Sequence, residues 1–195
     1  MQYPLTMTFK IMALAPQIYV RDASGNSVCY IKQKLLRLKE KVEVFRDDSR
    51  SDLLCEINAD RMIDFSARYQ VTDPEGRVIC VIGRKGMRSL WKVFYQIEND
   101  QGQLIAEIKE ENVWVKVLDS LFQRIAIVGS LMGYFFNPSY LITDHDGQEI
   151  MRLKKQPAFW EGLFSLEKLQ ETDTVQELSL VMGTLMMVLL ERKRG

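Results

Sequence analysis

The sequence predicts a mainly β domain of repeated hairpins, closed at its C-terminal end by one helix that is apolar on all sides. Three observations carry this. A fourteen-residue pattern recurs four times, and each copy has the chemistry of a β-hairpin. Near the C-terminus, Leu178–Leu190 (LSLVMGTLMMVLL) runs thirteen residues without a charge. A chain of 195 residues can also bury a substantial core, and residues 1–195 read as a single domain.

The four copies are IYVRDASGNSVCYI from Ile18, YQVTDPEGRVICVI from Tyr69, YQIENDQGQLIAEI from Tyr95 and YLITDHDGQEIMRL from Tyr140. They align on Gly25, Gly76, Gly102 and Gly147, with Asp22, Asp73, Asn99 and Asp144 three residues earlier. A fifth, weaker copy, VFRDDSRSDLLCEI from Val44, places Ser51 where the glycine stands elsewhere. Aromatic and β-branched residues two apart share one face of a strand. The Asp or Asn opens a turn by binding nearby backbone, and glycine supplies the positive φ of a tight reversal. Positions three and six beyond glycine have opposite parity, which predicts either a bulge or burial of both faces. Asp144-His145-Asp146-Gly147 resembles a calcium loop, but it is too short for an EF-hand and lacks the terminal Glu. Turn chemistry is the better reading, and no metal site is expected.

The segments between the hairpins are less regular. Alternation through Leu36, Leu38, Val42 and Val44 suits a strand with solvated charges opposite. Arg84-Lys85-Gly86-Met87-Arg88 leads into Trp91 and Lys92, so Arg84, Lys85, Arg88 and Lys92 are candidates for holding phosphate head groups. The competing reading is a solvated rim. Trp114, Val117, Leu118, Leu121 and Phe122 fall at helical spacing and predict a short amphipathic helix, with a strand from Asn112 as the alternative. Ile125–Val128 and Tyr134–Phe136 resume strand-like runs before Asn137-Pro138 turns the chain.

The final helix is expected at about residues 175–191. A bilayer span needs about 20 apolar residues, and runs of about 10–14 more often mark a buried helix. A helix apolar all round must be surrounded, and a sheet curled around it achieves this. Leu178, Leu180, Val181, Leu185, Met186, Val188 and Leu189 are then core positions. Arg192-Lys193-Arg194 complements the helix dipole and would equally suit an anionic membrane.

Lys plus Arg and Asp plus Glu both total 26, so no bulk attraction to nucleic acid is expected. Cys29, Cys55 and Cys80 are widely spaced in strand-like runs, which predicts reduced, buried thiols and a cytoplasmic setting. Lys10 interrupts the apolar N-terminal stretch, so no secretory signal is read there. Histidine occurs once, as His145 in a turn, and no nucleophile, phosphate-loop or zinc motif accompanies it. The chain is read as no enzyme and as needing no cofactor.

The hairpins, the basic connector at Arg84-Lys85 and the closing apolar helix resemble the tubby C-terminal-like superfamily. Within it the chain is similar to LURP-one-related and phospholipid scramblase-like proteins, from about Ile18 to Arg192. IMRLKKQPAFWEGLF from Ile150, a polar stretch to Asp173 and the final helix follow in scramblase-like order. The resemblance implies a closed antiparallel barrel of about twelve strands around a buried hydrophobic C-terminal helix. The Asp-rich calcium segment of scramblase relatives is replaced here by the spread-out Glu161, Glu167, Glu171 and Asp173, which argues against calcium-activated lipid translocation. The expected function is a non-enzymatic intracellular binding module, peripheral at the membrane, contacting anionic phospholipid or a protein partner. Two further readings stay open: a scramblase-like membrane protein with its last helix inserted, and a barrel holding a small apolar ligand.

Overall fold

A computed structural model describes residues 1–10, 17–32, 41–60, 68–84, 94–111, 138–158 and 161–192. Twelve antiparallel strands form a closed barrel. They are β1 (Leu5–Lys10), β2 (Gln17–Arg21), β3 (Ser27–Lys32), β4 (Val42–Phe45), β5 (Leu53–Asp60) and β6 (Arg68–Thr72). Then follow β7 (Val78–Arg84), β8 (Phe94–Glu98), β9 (Leu104–Glu110), β10 (Ser139–Asp144), β11 (Glu149–Gln156) and β12 (Glu161–Lys168). One helix, α1 (Thr174–Arg192), completes the described chain. Each strand pairs with its neighbours in sequence, and β12 returns to β1. Closure pairs every described strand on both sides, with the β3–β4 seam the slightest, joined only at Tyr30 and Phe45.

The four glycine-anchored copies are the hairpins β2–β3, β6–β7, β8–β9 and β10–β11. In the first, the Gly25 N–H donates to the Asp22 carbonyl at 2.9 Å, and Gly25 sits at φ 82°. Asp22 Oδ1 accepts from the backbone N–H of Ser24 and Asn26 at 3.0 and 2.9 Å. Asn99 and Asp144 bind their own turns in the same way. A turn closed by a left-handed residue forces a bulge in the following strand, and this settles the parity question. The register slips at Val28, Ile79, Ile105 and Ile150. Cys29, Cys80, Ala106 and Met151 then face inward, followed two residues on by Ile31, Ile82, Ile108 and Leu153, all buried.

The fifth copy is β4–β5, with its bulge at Leu54. Here the left-handed conformation falls on Arg50 (φ 58°) and not on Ser51. The reason is a longer loop: Arg46 N–H closes on the Asp52 carbonyl, where the first hairpin closes Asp22 on Asn26.

Twelve strands enclose more space than wall side chains alone can fill, and α1 occupies it. Every residue from Ser179 to Leu189 is buried. Of the core positions expected from sequence, Leu180, Val181, Leu185, Met186, Val188 and Leu189 are buried, and Leu178 is half-buried against the same cluster. Met182 and Met187 join them. Full burial of such side chains stabilises by roughly 1.5–3 kcal/mol each. The helix lies nearest β7, β8 and β9. Small inward residues give it room: Cys29, Cys55, Cys80 and Ala106 are each at most 1% exposed. Cys55 Sγ approaches Met182 Sδ at 3.6 Å. The hydroxyls of Ser179 and Thr184 donate back to the Val175 and Leu180 carbonyls at 3.0 and 2.7 Å, which satisfies them inside an apolar lumen. By length and composition α1 is apolar enough to cross a membrane, yet 67% of that window is buried inside the barrel.

Leu36, Leu38, the helix expected at Trp114–Phe122 and the runs Ile125–Val128 and Tyr134–Phe136 lie outside the described residues.

Candidate functional site

The up-and-down topology sorts the chain's charges between two ends. The glycine turns, the Arg46–Asp52 loop and residues 169–173 gather where α1 begins. Each of these six connections carries more acidic than basic residues. At the opposite end, where α1 finishes, β1 ends at Lys10, β3 at Lys32, β7 at Arg84 and β11 just past Lys154-Lys155. Among the described residues that end also carries Asp60, Glu110, Glu111 and Glu161, so the contrast between the two ends lies mainly in the net-acidic connections beside the start of α1.

At the basic end, Lys10, Gln17 and Lys32 lie in register across β1, β2 and β3. Their neighbours Phe9, Ile18 and Ile31 are buried, so by alternation this row faces outward. Lys10 Nζ stands 5.1 Å from the Tyr19 ring centroid, and that ring packs on Tyr30 at 4.9 Å. Lys10, Lys32 and Lys155 are all exposed, Lys155 at the barrel mouth, since it shares the inward parity of Met151 and Leu153 and stands opposite Phe164. Other bases at this end are already paired: Lys41 with Glu56, Arg68 with Glu98, Lys109 with Glu107, and Lys154 with Glu167 at 2.9 Å. Such surface pairs contribute only about 0–1 kcal/mol.

Of the residues singled out from sequence, Arg84 is half-buried and shares the inward parity of Cys80 and Ile82. It stands opposite Tyr95 in β8, at the barrel mouth and away from the outer row. Lys85, Arg88 and Lys92 lie outside the described residues. Sequence reasoning missed Lys10, Lys32 and Lys155, because nothing local in the chain joins residues from β1, β3 and β11.

The same mouth holds a collar of tyrosines. Tyr69, Tyr95 and Tyr140 occupy one repeat position and are each at most 8% exposed. Tyr95 donates to Glu191 Oε1 at 2.8 Å and so ties α1 to the wall. Burial pushes the Tyr140 phenol up to about 12, with Glu110 and Glu191 adding to the effect.

At the acidic end, Asp173 caps α1, its Oδ1 accepting from the Gln176 N–H at 2.9 Å. Glu177 is only 8% exposed and faces Lys168 at 3.8 Å. Lys168 also donates to Glu171 at 2.7 Å, and its Nζ lies 5.6 Å from the Tyr3 ring centroid. Burial pushes the Tyr3 phenol well above its usual range, and the nearby Glu177 carboxylate acts in the same direction. The Tyr3 hydroxyl and Glu177 Oε1 nonetheless stop short of hydrogen-bond geometry. These groups fasten the N-terminus, β12 and α1 together. Among the described residues no cluster of His, Cys, Asp or Glu has the arrangement to hold a metal ion. The Asp144 carboxylate is committed to its own turn.

A family model described as LURP-one-related matches residues 27–130, just over half of the chain. No curated protein and no solved structure matches.

Proposed function

The chain belongs to the LURP-one-related family, and we propose that it is a non-enzymatic binding module that contacts anionic phospholipid through the end of the barrel where α1 finishes. One observation carries this reading: Lys10 and Lys32 stand in an outward row with exposed ammonium groups, Lys155 is exposed at the same end, and the acidic turns lie at the far end. Such a barrel would be oriented by an anionic surface as well as held by it. Each lysine near such a surface contributes roughly 1 kcal/mol, and the effect falls off within a Debye length.

Kinship with the tubby C-terminal-like and scramblase-like proteins belongs to the same reading, and a barrel threaded by an apolar helix supports it. Insertion of α1 into the bilayer would require its buried residues to leave the lumen. A small apolar ligand would have to share that lumen with the helix. Both considerations favour a module that stays peripheral to the membrane.

The test is vesicle co-sedimentation. Phosphatidylserine-containing vesicles should retain the protein, plain phosphatidylcholine vesicles should not, and added salt should release it. Replacing Lys10, Lys32 and Lys155 together by Glu should lower retention at least tenfold, since three such contacts are worth about 3 kcal/mol. Equal retention on neutral vesicles, or a triple variant that binds like the parent, would end the proposal.

A further inference from the structure

The acidic end carries a feature that the phospholipid reading does not use. A cleft of about 560 Å³ opens between the first turn of α1 and the β6–β7 and β8–β9 hairpins. Its apolar wall is made by Ile79 and Ile105, the bulge residues of those hairpins, together with Val78, Leu104 and Val175. Asn99, Asp100, His145 and Asp173 form the rim. Val175 is 67% exposed, a large apolar side chain left in solvent on the first turn of a helix that is buried from Ser179 to Leu189.

We propose that this cleft receives an extended segment of a partner protein in which an apolar side chain is flanked by Lys or Arg. The size fits. The volume lies within the usual range of ligand clefts, about 300–1,000 Å³. The chemistry fits as well. The bulges place Ile79 and Ile105, on the two strands that flank β8, in one apolar wall, where alternate side chains of an extended peptide can settle. All six connections at this end are net acidic, which favours cationic flanks and disfavours anionic ones. The positive end of the helix offers no competing anion site, because Asp173 already caps it.

The probe is a short fluorescein-labelled peptide with one leucine between lysine and arginine. Two controls accompany it: leucine between glutamates, and glycine between the two basic residues. The basic–apolar peptide alone should raise anisotropy on addition of the full chain. Methyl resonances of Ile79, Ile105 and Val175 should shift, while those of Ile31 and Ile57 stay put. Asp100→Lys and Val175→Ser both change exposed positions, and each should weaken binding about three- to tenfold while leaving the circular dichroism spectrum unchanged. Equal binding of either control peptide overturns the proposal, as does no binding at millimolar peptide. Shifts confined to the Lys10–Lys32 end would also overturn it. So would methyl shifts that grow with protein concentration alone, since they would assign the cleft to a second copy of this chain. Vesicle retention is read separately, so either proposal can fail without the other.

Discussion

Gly183 should behave opposite to an ordinary helix glycine. At a solvent-facing helical site, Gly→Ala stabilises by about 1 kcal/mol, because alanine loses less backbone entropy on folding. At position 183 an added methyl would lie 2.8 Å from Ile97 Cγ1, closer still to Ile97 Cδ1, and 3.9 Å from Ile108 Cδ1. Ile97 is fully buried in the β8 wall, so any shift of its side chain must be taken up by packed neighbours. Overpacking of this kind costs about 1–3 kcal/mol. Set against the propensity gain, Gly183→Ala should destabilise by about 1 kcal/mol, and Gly183→Leu by considerably more. Urea unfolding followed by circular dichroism measures this directly. The diagnostic step is a double-mutant cycle. Ile97→Ala alone leaves a cavity and should cost about 2–5 kcal/mol, but in its background Gly183→Ala should become neutral or stabilising. If Gly183→Ala stabilises the parent by about 1 kcal/mol, the helix does not press on β8 and the threaded-barrel account is wrong.

Other outcomes follow from the same geometry. Asp173→Ala removes the cap on the Gln176 N–H and should cost about 0.5–2 kcal/mol in thermal or urea unfolding, whereas Asp173→Asn should cost far less; equal losses would point to charge and not to the capping bond. The Asp22 and Asp73 carboxyls lie below their usual 3.8, because hydrogen bonds within their turns, and for Asp73 the Arg77 guanidinium, outweigh an opposing desolvation. A depressed folded value means that the unfolded chain binds more protons. The contribution is therefore present above the unfolded value and lost as pH falls through the folded one. The urea midpoint should accordingly drop below about pH 4, and the drop should be shallower in Asp73→Asn; an unchanged slope would remove these turns from acid stability. Burial pushes the Cys55 and Cys80 thiols up to about 12 and Cys29 higher still. Ellman's reagent should therefore find no fast-reacting thiol in the native protein and three after unfolding; a rapid native phase would contradict the inward placement of the repeat.

Much of the architecture was legible locally. Turn residues act over a few positions, so Asp22 through Gly25 announce a hairpin wherever they stand. The charge-free run Leu178–Leu190 likewise demands enclosure whatever encloses it. The cysteines were legible in part: their strand-like settings predicted burial, but their shared place one residue past each bulge emerged only with the register. The fifth hairpin shows the limit, since Ser51 matched the strand pattern while loop length moved the strained residue to Arg50.

The sequence by itself thus determined the β class, the hairpins and an apolar helix that must be enclosed, because those depend on neighbours in the chain. Only the tertiary structure decided that five bulges set the inward faces, that Gly183 meets Ile97, and that three exposed lysines from separate strands reach one end. The last point matters most for function. Lys10, Lys32 and Lys155 come from separate strands, and only barrel closure, with its fixed up-and-down order, brings them to one end.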